Sequence, residues 1–376
     1  MRKIRVKRSE ARKILNSVDI PSIEVTITTE KGVFSASVPH GTSRGRHEVK
    51  DFSGGIDKAI NAVNTVIAKK LKSHTINSFD DILKFEKQTA RFGGNVVLAV
   101  SFALLKSLAA ERKCSPWKLF GPKKKTMPLL LDKMIGGGKH GGERTPDFQE
   151  FLILGKLEDN LALYNAIKKE FNPAGKDLEG GWALEISNKK AFDILKKFNK
   201  KGKLGCDFAA SSFYEPKSRF YIYKSGEQLS KDAQIDNIIN MQKEYNLYYI
   251  EDPLHEDDFD GFSKLTQKLG KKALIVGDDL LTTNPERLKK AIAHKACNGC
   301  IVKPDQIGSL TKVIEFVKLA KKNKYIPVIS HRSGETDDDI LADLAVGLEI
   351  PIIKIGIAGG ERVAKINRLL QISKEK

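Results

Sequence analysis

The sequence has few cysteines, no long apolar run and no excess of acidic charge. Four cysteines among 376 residues are too few for a disulfide scaffold. The longest nearly apolar run, 96–105, is interrupted by Ser101 and is shorter than the roughly 18–20 residues that span a bilayer. We therefore expect no membrane partner. The basic N-terminal residues lack an apolar core with a small-residue cleavage site, which predicts a cytoplasmic protein without a secretory signal.

The composition is that of a globular protein with a strongly basic balance. Hydrophobic residues make up 40% and charged residues 30% of the chain, which argues against wholesale disorder. Lysine and arginine outnumber aspartate and glutamate by 65 to 47, a net charge of +18. Such a surface can attract polyanions, but the lysines are scattered and no nucleic-acid motif accompanies them. We interpret them as solvated helix faces and keep nucleic-acid binding as an alternative.

The pattern of apolar residues divides the chain near residue 125. Residues 23–28 and 33–38 alternate apolar and polar side chains around a Glu30-Lys-Gly32 turn, which predicts a β-hairpin. Helical periodicity follows over 56–71, and 96–110 is apolar enough for a buried helix. These features predict an N-terminal α+β domain over residues 1–124, with Gly121-Pro-Lys-Lys-Lys-Thr as the linker.

Residues 125–376 repeat a different unit. Short apolar runs end in a charged or polar residue, pass through a turn and enter an amphipathic helix. Repeated βα units with nearly continuous apolar strands indicate parallel strands that are covered on both faces. The length and the repetition predict an α/β fold, a (β/α)8-type barrel that follows the N-terminal α+β domain.

Charged side chains stand at the ends of these predicted strands. Active sites of such barrels lie at the carboxyl ends of the strands, so we expect these side chains to converge. Three carboxylates without cysteine or histidine favour Mg²⁺ over zinc, and a lysine beside bound metal can act as a base. The pattern therefore indicates metal-assisted proton abstraction next to a carboxylate. The strand-end residues are Asp207, Glu251, Asp278, Lys303, His331 and Lys354.

The motifs at these positions resemble those of the enolase family. The resemblance extends from Ile14 to Leu370, and its strongest segments are 250–253, 276–280, 303–308 and 330–336 (IEDP, VGDDL, KPDQIG and SHRSGET). The chain is similar to a divergent, short and basic member of that family. The resemblance implies a phosphopyruvate hydratase with 2-phosphoglycerate and phosphoenolpyruvate as its small-molecule substrates, two Mg²⁺ ions per active site, and a homodimer or higher homo-oligomer.

The resemblance also implies a role for each matched residue. Lys303 matches the base that removes the C2 proton, and Glu179 matches the acid that protonates the departing 3-hydroxyl. His331 matches a residue near the phosphate and the leaving group. The implied metal ligands are Asp207, Glu251 and Asp278 for the first ion and Ser43 for the second. The implied substrate-binding residues are His140, Gln149, Glu150, Arg332, Ser333 and Lys354.

Three departures from the family pattern bear on these expectations. The segment 16–21 differs from the family's, His40 replaces a loop serine, and Asp305 stands where the family has asparagine. We expect a carboxylate at position 305 to raise the pKa of Lys303. Two alternative functions stay open on the sequence alone: an enolase-superfamily enzyme for another carboxylic acid, and a weakly active enolase-like protein that binds RNA through its basic surface.

Overall fold

The N-terminal part of the computed structural model is a three-stranded antiparallel sheet covered by helices. The structure describes residues 4–42 and 44–375. The sheet contains β1 (Arg8–Leu15), β2 (Pro21–Thr29) and β3 (Gly32–Ser37), in that spatial order. Strands β2 and β3 form the hairpin expected from the alternating pattern. Alternate residues of β2, including Ile23, Val25 and Ile27, are fully buried beneath the helices.

Four α-helices belong to this part of the chain, and three of them, the first, second and fourth, pack on the sheet. The four helices are α1 (Ile56–Ala62), α2 (Ala68–Ser73), α3 (Phe79–Thr89) and α4 (Gly94–Arg112). A capping box at Ser78 and Asp81 begins α3. Helix α4 is long and apolar enough to cross a membrane by composition, but 83% of its apolar window is buried inside the protein. It packs against β2, β3 and α3, which is the environment of a core helix.

The rest of the chain forms a closed barrel with helices around it. The strands in this part of the chain are β4 (Leu129–Gly136), β5 (Glu150–Gly155), β6 (Gly175–Lys176), β7 (Trp182–Ala183), β8 (Lys203–Asp207), β9 (Tyr214–Glu215), β10 (Phe220–Ile222), β11 (Gln228–Leu229), β12 (Tyr249–Glu251), β13 (Leu274–Gly277), β14 (Gly299–Val302), β15 (Ile326–Ser330) and β16 (Ile352–Lys354). Strands β9, β10 and β11 form a small sheet of their own. Its helices are α5 (Gly138–Gly141), α6 (Leu157–Phe171), α7 (Asn188–Phe198), α8 (Lys231–Tyr245), α9 (Phe259–Leu269), α10 (Pro285–His294), α11 (Pro304–Ile307), α12 (Leu310–Lys322), α13 (Ile340–Gly347) and α14 (Gly360–Lys374).

Eight of these strands close the barrel in the order β4, β5, β8, β12, β13, β14, β15, β16, with β16 returning to β4. The expected barrel is therefore present, with one difference in strand direction. Strand β5 runs antiparallel to both β4 and β8, whereas the other neighbouring barrel strands are parallel. This reversal brings the first residue of β5, Glu150, to the end of the barrel where the parallel strands terminate.

The barrel interior is divided into an apolar half and a polar half. Side chains from the barrel strands form an apolar layer that fills the lower half: Leu131, Leu152, Leu154, Tyr249, Leu274, Val276, Ile301, Val328 and Ile352. The next inward-facing positions toward the carboxyl ends are charged or polar, as with Lys133 after Leu131 and Ser330 after Val328. Inward positions alternate along a strand, so the polar layer lies directly above the apolar one.

A buried glutamate joins the two parts of the chain. Glu86, in α3, accepts hydrogen bonds from the backbone N–H groups of Leu310 and Thr311 at the N-terminus of α12. The hydroxyls of Ser309 and Thr311 also donate to it, at 2.8 and 2.7 Å. A carboxylate at this helix end satisfies N–H groups that have no partner within the helix. Helix α3 is thereby bound to the start of α12, a few residues after Lys303 in the chain.

Candidate active site

A cavity of about 390 Å³ opens at the carboxyl ends of the parallel strands. Glu251 lies beneath it and is fully buried. Ser43 lies outside the described residues. The other residues expected to form a site line the cavity: His140, Gln149, Glu150, Glu179, Asp207, Asp278, Lys303, His331, Arg332, Ser333 and Lys354.

Lys354 connects three carboxylates at the centre of the cavity floor. Its Nζ lies 3.1 Å from Asp207 Oδ2, 2.8 Å from Glu251 Oε2 and 3.1 Å from Glu150 Oε1. Glu251 also accepts a 2.5 Å hydrogen bond from the hydroxyl of Tyr249. Each member of this group is almost completely buried, so the ammonium balances negative charge that water cannot solvate.

The pKa values of these carboxyls are shifted upward by their surroundings. Burial and the nearby Glu179 carboxylate raise the pKa of Glu150 to about 8. Burial and Glu251 raise the pKa of Asp207 to about 6. Burial also raises the pKa of Glu251, although Lys354 opposes that shift. The cluster therefore favours a cation at this position.

Lys303 has a separate carboxylate partner. Its Nζ lies 2.5 Å from Asp278 Oδ2, and Gln306 donates a 2.9 Å hydrogen bond to Asp278 Oδ1. Burial lowers the pKa of Lys303, but the Asp278 carboxylate outweighs it and the net shift is upward. Lys303 therefore rests as an ammonium in this arrangement, and a base at this position requires its Asp278 partner to be engaged elsewhere.

The carboxylates at the floor suit a hard divalent cation. Asp207, Glu251 and Asp278 are buried oxygen donors whose charges are compensated by the ammonium groups of Lys303 and Lys354. Oxygens of Asp252, Asp278 and Asp279 also lie within 4.8 Å of one another. Both Asp252 oxygens accept backbone N–H groups, from Asp278 and Asp279, so we assign Asp252 to loop support instead of ligation.

Glu179 lies in a loop on another wall of the cavity. Its Oε2 lies 3.1 Å from Lys133 Nζ and 3.3 Å from His140 Nδ1. Burial raises the pKa of Glu179, but Lys133 and His140 outweigh it and hold the pKa well below its usual range. Glu179 is therefore an ionised carboxylate in this state of the protein.

His331 follows β15 and faces the same cavity. Burial lowers its pKa well below the usual range, so the imidazole is neutral. Its Nδ1 has no hydrogen-bond partner within residues 4–42 and 44–375. A buried neutral imidazole with a free ring nitrogen can donate to or accept from a substrate oxygen.

A basic group bounds the cavity near the N-terminal loop. Arg332 lies 2.9 Å from Glu48 Oε2 and 3.2 Å from Asp305 Oδ2. Burial lowers the Arg332 pKa, but Asp305 and Glu48 outweigh it and the net shift is upward. Burial raises the pKa of Asp305 to about 7, although Arg332 opposes that shift. The Nη1 of Arg332 has no hydrogen-bond partner in the described part of the chain, and Arg332 lines the cavity.

The loop between β3 and α1 contacts the segment that follows β15. The Ser333 hydroxyl contacts the backbone N–H and the hydroxyl of Thr42, at 2.9 and 2.8 Å. His40 exchanges backbone hydrogen bonds with Gly334. The divergent segment 16–21 contributes as well, because the Ser17 hydroxyl donates to the Ser333 carbonyl at 3.1 Å. The sequence departures at positions 16–21 and 40 therefore coexist with contacts from Ser17, His40 and Thr42 to residues 333–334.

Sequence reasoning missed several residues that shape this site. Lys133 and Asp177 form a buried ion pair beside Glu179, with 2.5 Å between Lys133 Nζ and Asp177 Oδ2. Asp252 holds the loop that carries Asp278, and Glu48 binds Arg332. A signal for Lys133 was present, since Asp132 and Lys133 interrupt the otherwise apolar strand Leu129–Gly136.

Comparison with known sequence families covers nearly the whole chain. Residues 124–376 match the family described as "Enolase, C-terminal TIM barrel domain". Residues 6–120 match the family described as "Enolase, N-terminal domain". The two matches follow one another in the order in which the sheet domain and the barrel occur.

Curated relatives from several organisms are named enolase. An enolase from Methanosphaera stadtmanae is 39% identical, and the alignment covers 97% of this chain and 95% of that protein. An enolase from Picrophilus torridus is 38% identical, with 98% of each chain covered. An enolase from Solanum lycopersicum is 37% identical, with 98% of this chain and 95% of that protein covered.

Proposed function

Because the chain belongs to the enolase family, we propose that the cavity at the barrel mouth is its active site and that the lining residues divide the reaction between them. The activity is that of a phosphopyruvate hydratase, a lyase of glycolysis that interconverts 2-phosphoglycerate with phosphoenolpyruvate and water. Neither alternative function considered from the sequence is favoured by these relatives.

The observation that carries the assignment is that Lys303 and Glu179 line the same cavity and have different charge partners. Each has its own charge partner, Asp278 for Lys303 and Lys133 for Glu179. In the forward direction Lys303 takes the C2 proton, and the C–H electron pair forms the enolate of the substrate carboxylate. The C3–O bond then breaks, Glu179 gives its proton to the leaving hydroxide, and the C2=C3 double bond forms as water departs.

Enolases use Mg²⁺, and we propose that two ions act here. Asp207, Glu251 and Asp278 would hold the first ion, and Ser43 would contribute to the second. Bound metal supplies positive charge that stabilises the enolate and lowers the pKa of a neighbouring lysine. We assign Lys354 to the substrate carboxylate, and Arg332, Ser333 and His331 to the phosphate and leaving-group side. His140, Gln149 and Glu150 complete the substrate side of the cavity.

We also propose the organisation of the protein around this site. Residues 1–124 form the capping domain and residues 125–376 the catalytic barrel, a division supported by family matches at 6–120 and 124–376. A homodimer or higher homo-oligomer in the cytoplasm is the proposed state of the enzyme.

Hydrogen exchange at C2 separates the two proton transfers. Glu179→Gln is expected to lose dehydration while still exchanging the C2 hydrogen of 2-phosphoglycerate in D₂O, because the enolate can form and be reprotonated. Lys303→Ala is expected to lose both. NMR of the recovered substrate measures exchange, and Glu227→Gln and Lys268→Ala, at exposed positions, are the matched controls. Exchange that persists in Lys303→Ala would overturn the base assignment.

A further inference from the structure

A buried ion pair lies behind the Glu179 carboxylate, and the proton transfers proposed for Lys303 and Glu179 do not use it. Lys133 is 1% exposed and projects inward from β4. Its Nζ contacts Asp177 Oδ2 at 2.5 Å and Glu179 Oε2 at 3.1 Å. Glu179 and His140 form the cavity wall in front of it. Lys133 also lies 3.3 Å from His140 Nδ1, so it reaches the substrate side through Glu179 and His140.

The backbone around this pair is shaped to hold it. A Cβ at Gly136 would collide with Asp177 Oδ2, and a Cβ at Gly181 would lie 2.9 Å from Lys133 Cγ. Both positions therefore require glycine if the pair is to stay in place. Asp177 Oδ1 also accepts the backbone N–H groups of Glu179 and Gly181, at 3.0 and 2.9 Å. The aspartate thus fixes the Glu179 loop and the lysine at once.

We propose that Lys133, held by Asp177, is a positioning residue that keeps Glu179 ionised and aimed into the cavity in the resting enzyme. The proposal rests on the assignment of Glu179 as the group that exchanges a proton with the 3-hydroxyl. It adds that Lys133 determines the pH range in which this proton transfer works.

The resting charges agree with this role. Lys303 rests as an ammonium beside Asp278, and Glu179 rests as a carboxylate beside Lys133. At the end of dehydration Lys303 is an ammonium and Glu179 is a carboxylate, as in the resting enzyme, since Lys303 gains the C2 proton and Glu179 loses its own. The resting protonation states are therefore those with which the hydration direction begins, in which Glu179 accepts a proton from water.

Several other charged or titratable groups face Glu179. Lys133 has the dominant effect among them because it is fully buried, permanently charged and in contact with the carboxylate. The neighbours are His140 from α5, Glu150 from β5, Asp177 from the Glu179 loop, His331 after β15 and Arg362 from α14, which donates to the Leu178 carbonyl.

The test compares the pH dependence of two reactions of one enzyme. K133M/D177N removes both charges of the pair together, so neither Lys133 nor Asp177 is left as an unpaired buried charge. With Lys133 gone, the Glu179 pKa should rise, and the acidic limb of kcat/KM for dehydration should move up by about one to three pH units. The acidic limb of C2 exchange in D₂O should stay in place, because exchange needs Lys303 and not Glu179.

Three further variants serve as controls. K133Q/D177N keeps a hydrogen-bond donor toward Glu179 without the charge, so it should show the same shift even if K133M/D177N folds poorly. D177N alone keeps Lys133 and should show no upward shift. D132N is the matched control, because Asp132 is the adjacent buried residue of β4 and faces Asn160 instead of the cavity. It should behave as the unmodified enzyme.

The outcomes separate this proposal from the proposed function. If the unmodified enzyme exchanges and dehydrates but the dehydration limb stays fixed in both charge-free double variants, the role of Lys133 is wrong. That role is equally wrong if the exchange and dehydration limbs move together, or if D132N reproduces the shift. If the unmodified enzyme shows neither exchange nor dehydration with Mg²⁺ present, the proposed function itself fails.

Discussion

Replacing Lys354 with methionine should destabilise the protein, because Lys354 is the ammonium shared by Glu150, Asp207 and Glu251. Methionine keeps most of the volume and removes the charge. Lys354 is 2% exposed and Glu251 is fully buried, so water cannot take over the compensation. Removing one partner of a buried ion pair costs about 3–5 kcal/mol.

The expected change in melting temperature follows from chain length. Unfolding entropy is about 2.1 cal/mol/K per residue, which for 376 residues gives about 0.8 kcal/mol/K. A loss of about 3–5 kcal/mol therefore lowers Tm by about 4–6 °C. The assay is thermal unfolding followed by circular dichroism in EDTA.

The loss of stability in Lys354→Met should increase as the pH rises. Without Lys354, the carboxyl pKa values in the folded state rise further above their unfolded values. A carboxyl with a raised folded pKa is stabilising at low pH, and that stability is lost as pH rises through the folded pKa. Already in the presence of Lys354, the pKa is about 6 for Asp207 and about 8 for Glu150. The Tm deficit of Lys354→Met should therefore be smaller at pH 5 than at pH 8.

Two comparisons complete the experiment. Lys268→Met, at an exposed position, should leave Tm unchanged. Mg²⁺ should recover part of the loss in Lys354→Met, since binding to the folded state stabilises by mass action. A Lys354→Met protein as stable as the unmodified one in EDTA at pH 8 would refute the charge-compensation argument.

Three other results are expected. Exhaustive EDTA treatment should abolish activity and Mg²⁺ or Mn²⁺ should restore it, whereas Asp278→Ala should stay inactive at millimolar Mg²⁺; full activity in either chelated enzyme or variant contradicts the ligand assignment. Asp305→Asn should lower KM for 2-phosphoglycerate by about threefold to tenfold at pH 8, because Arg332 loses a buried carboxylate that competes for it, and about 1.4 kcal/mol corresponds to tenfold in affinity. The change should shrink at pH 6, where Asp305, with a pKa of about 7, is mostly protonated, and an equal effect at both pH values would count against it. Glu86→Gln should cost about 1.5–3 kcal/mol in urea unfolding, through weaker bonds to the α12 N-terminus, and an unchanged midpoint would argue that these bonds are not stabilising.

Much of the fold can be predicted from sequence because its periodicities are local. The alternation in 23–28 and 33–38 predicts the hairpin, and the apolar runs that end at Asp207, Glu251 and Lys354 predict barrel strands. The reversal of β5 could not be predicted. Its segment Glu150–Gly155 is an apolar run that fits a buried strand in either direction, and only pairing with β4 and β8 determines which.

The sequence predicts the site residues that stand at the ends of strands. It does not predict contacts between residues that are far apart in the sequence. Lys133 and Glu179 are 46 positions apart, and no local pattern brings them together. In the sequence, Asp252 is only a neighbour of Glu251 in the motif 250–253. Its positive φ of 40° and its two bonds to the backbone of the next strand loop depend on the closed barrel.

The closure of the barrel has a consequence for the order in which the protein is synthesised. The last strand, β16, pairs Ile352 with Leu129 of the first barrel strand and brings Lys354 with it. A ribosome has therefore already made Glu150, Asp207 and Glu251 long before it makes the ammonium that balances them. A chain that stops before β16 has both an open seam and uncompensated acids at its centre. Closure of the barrel and compensation of the buried acids at the cavity floor thus depend on the same strand, β16.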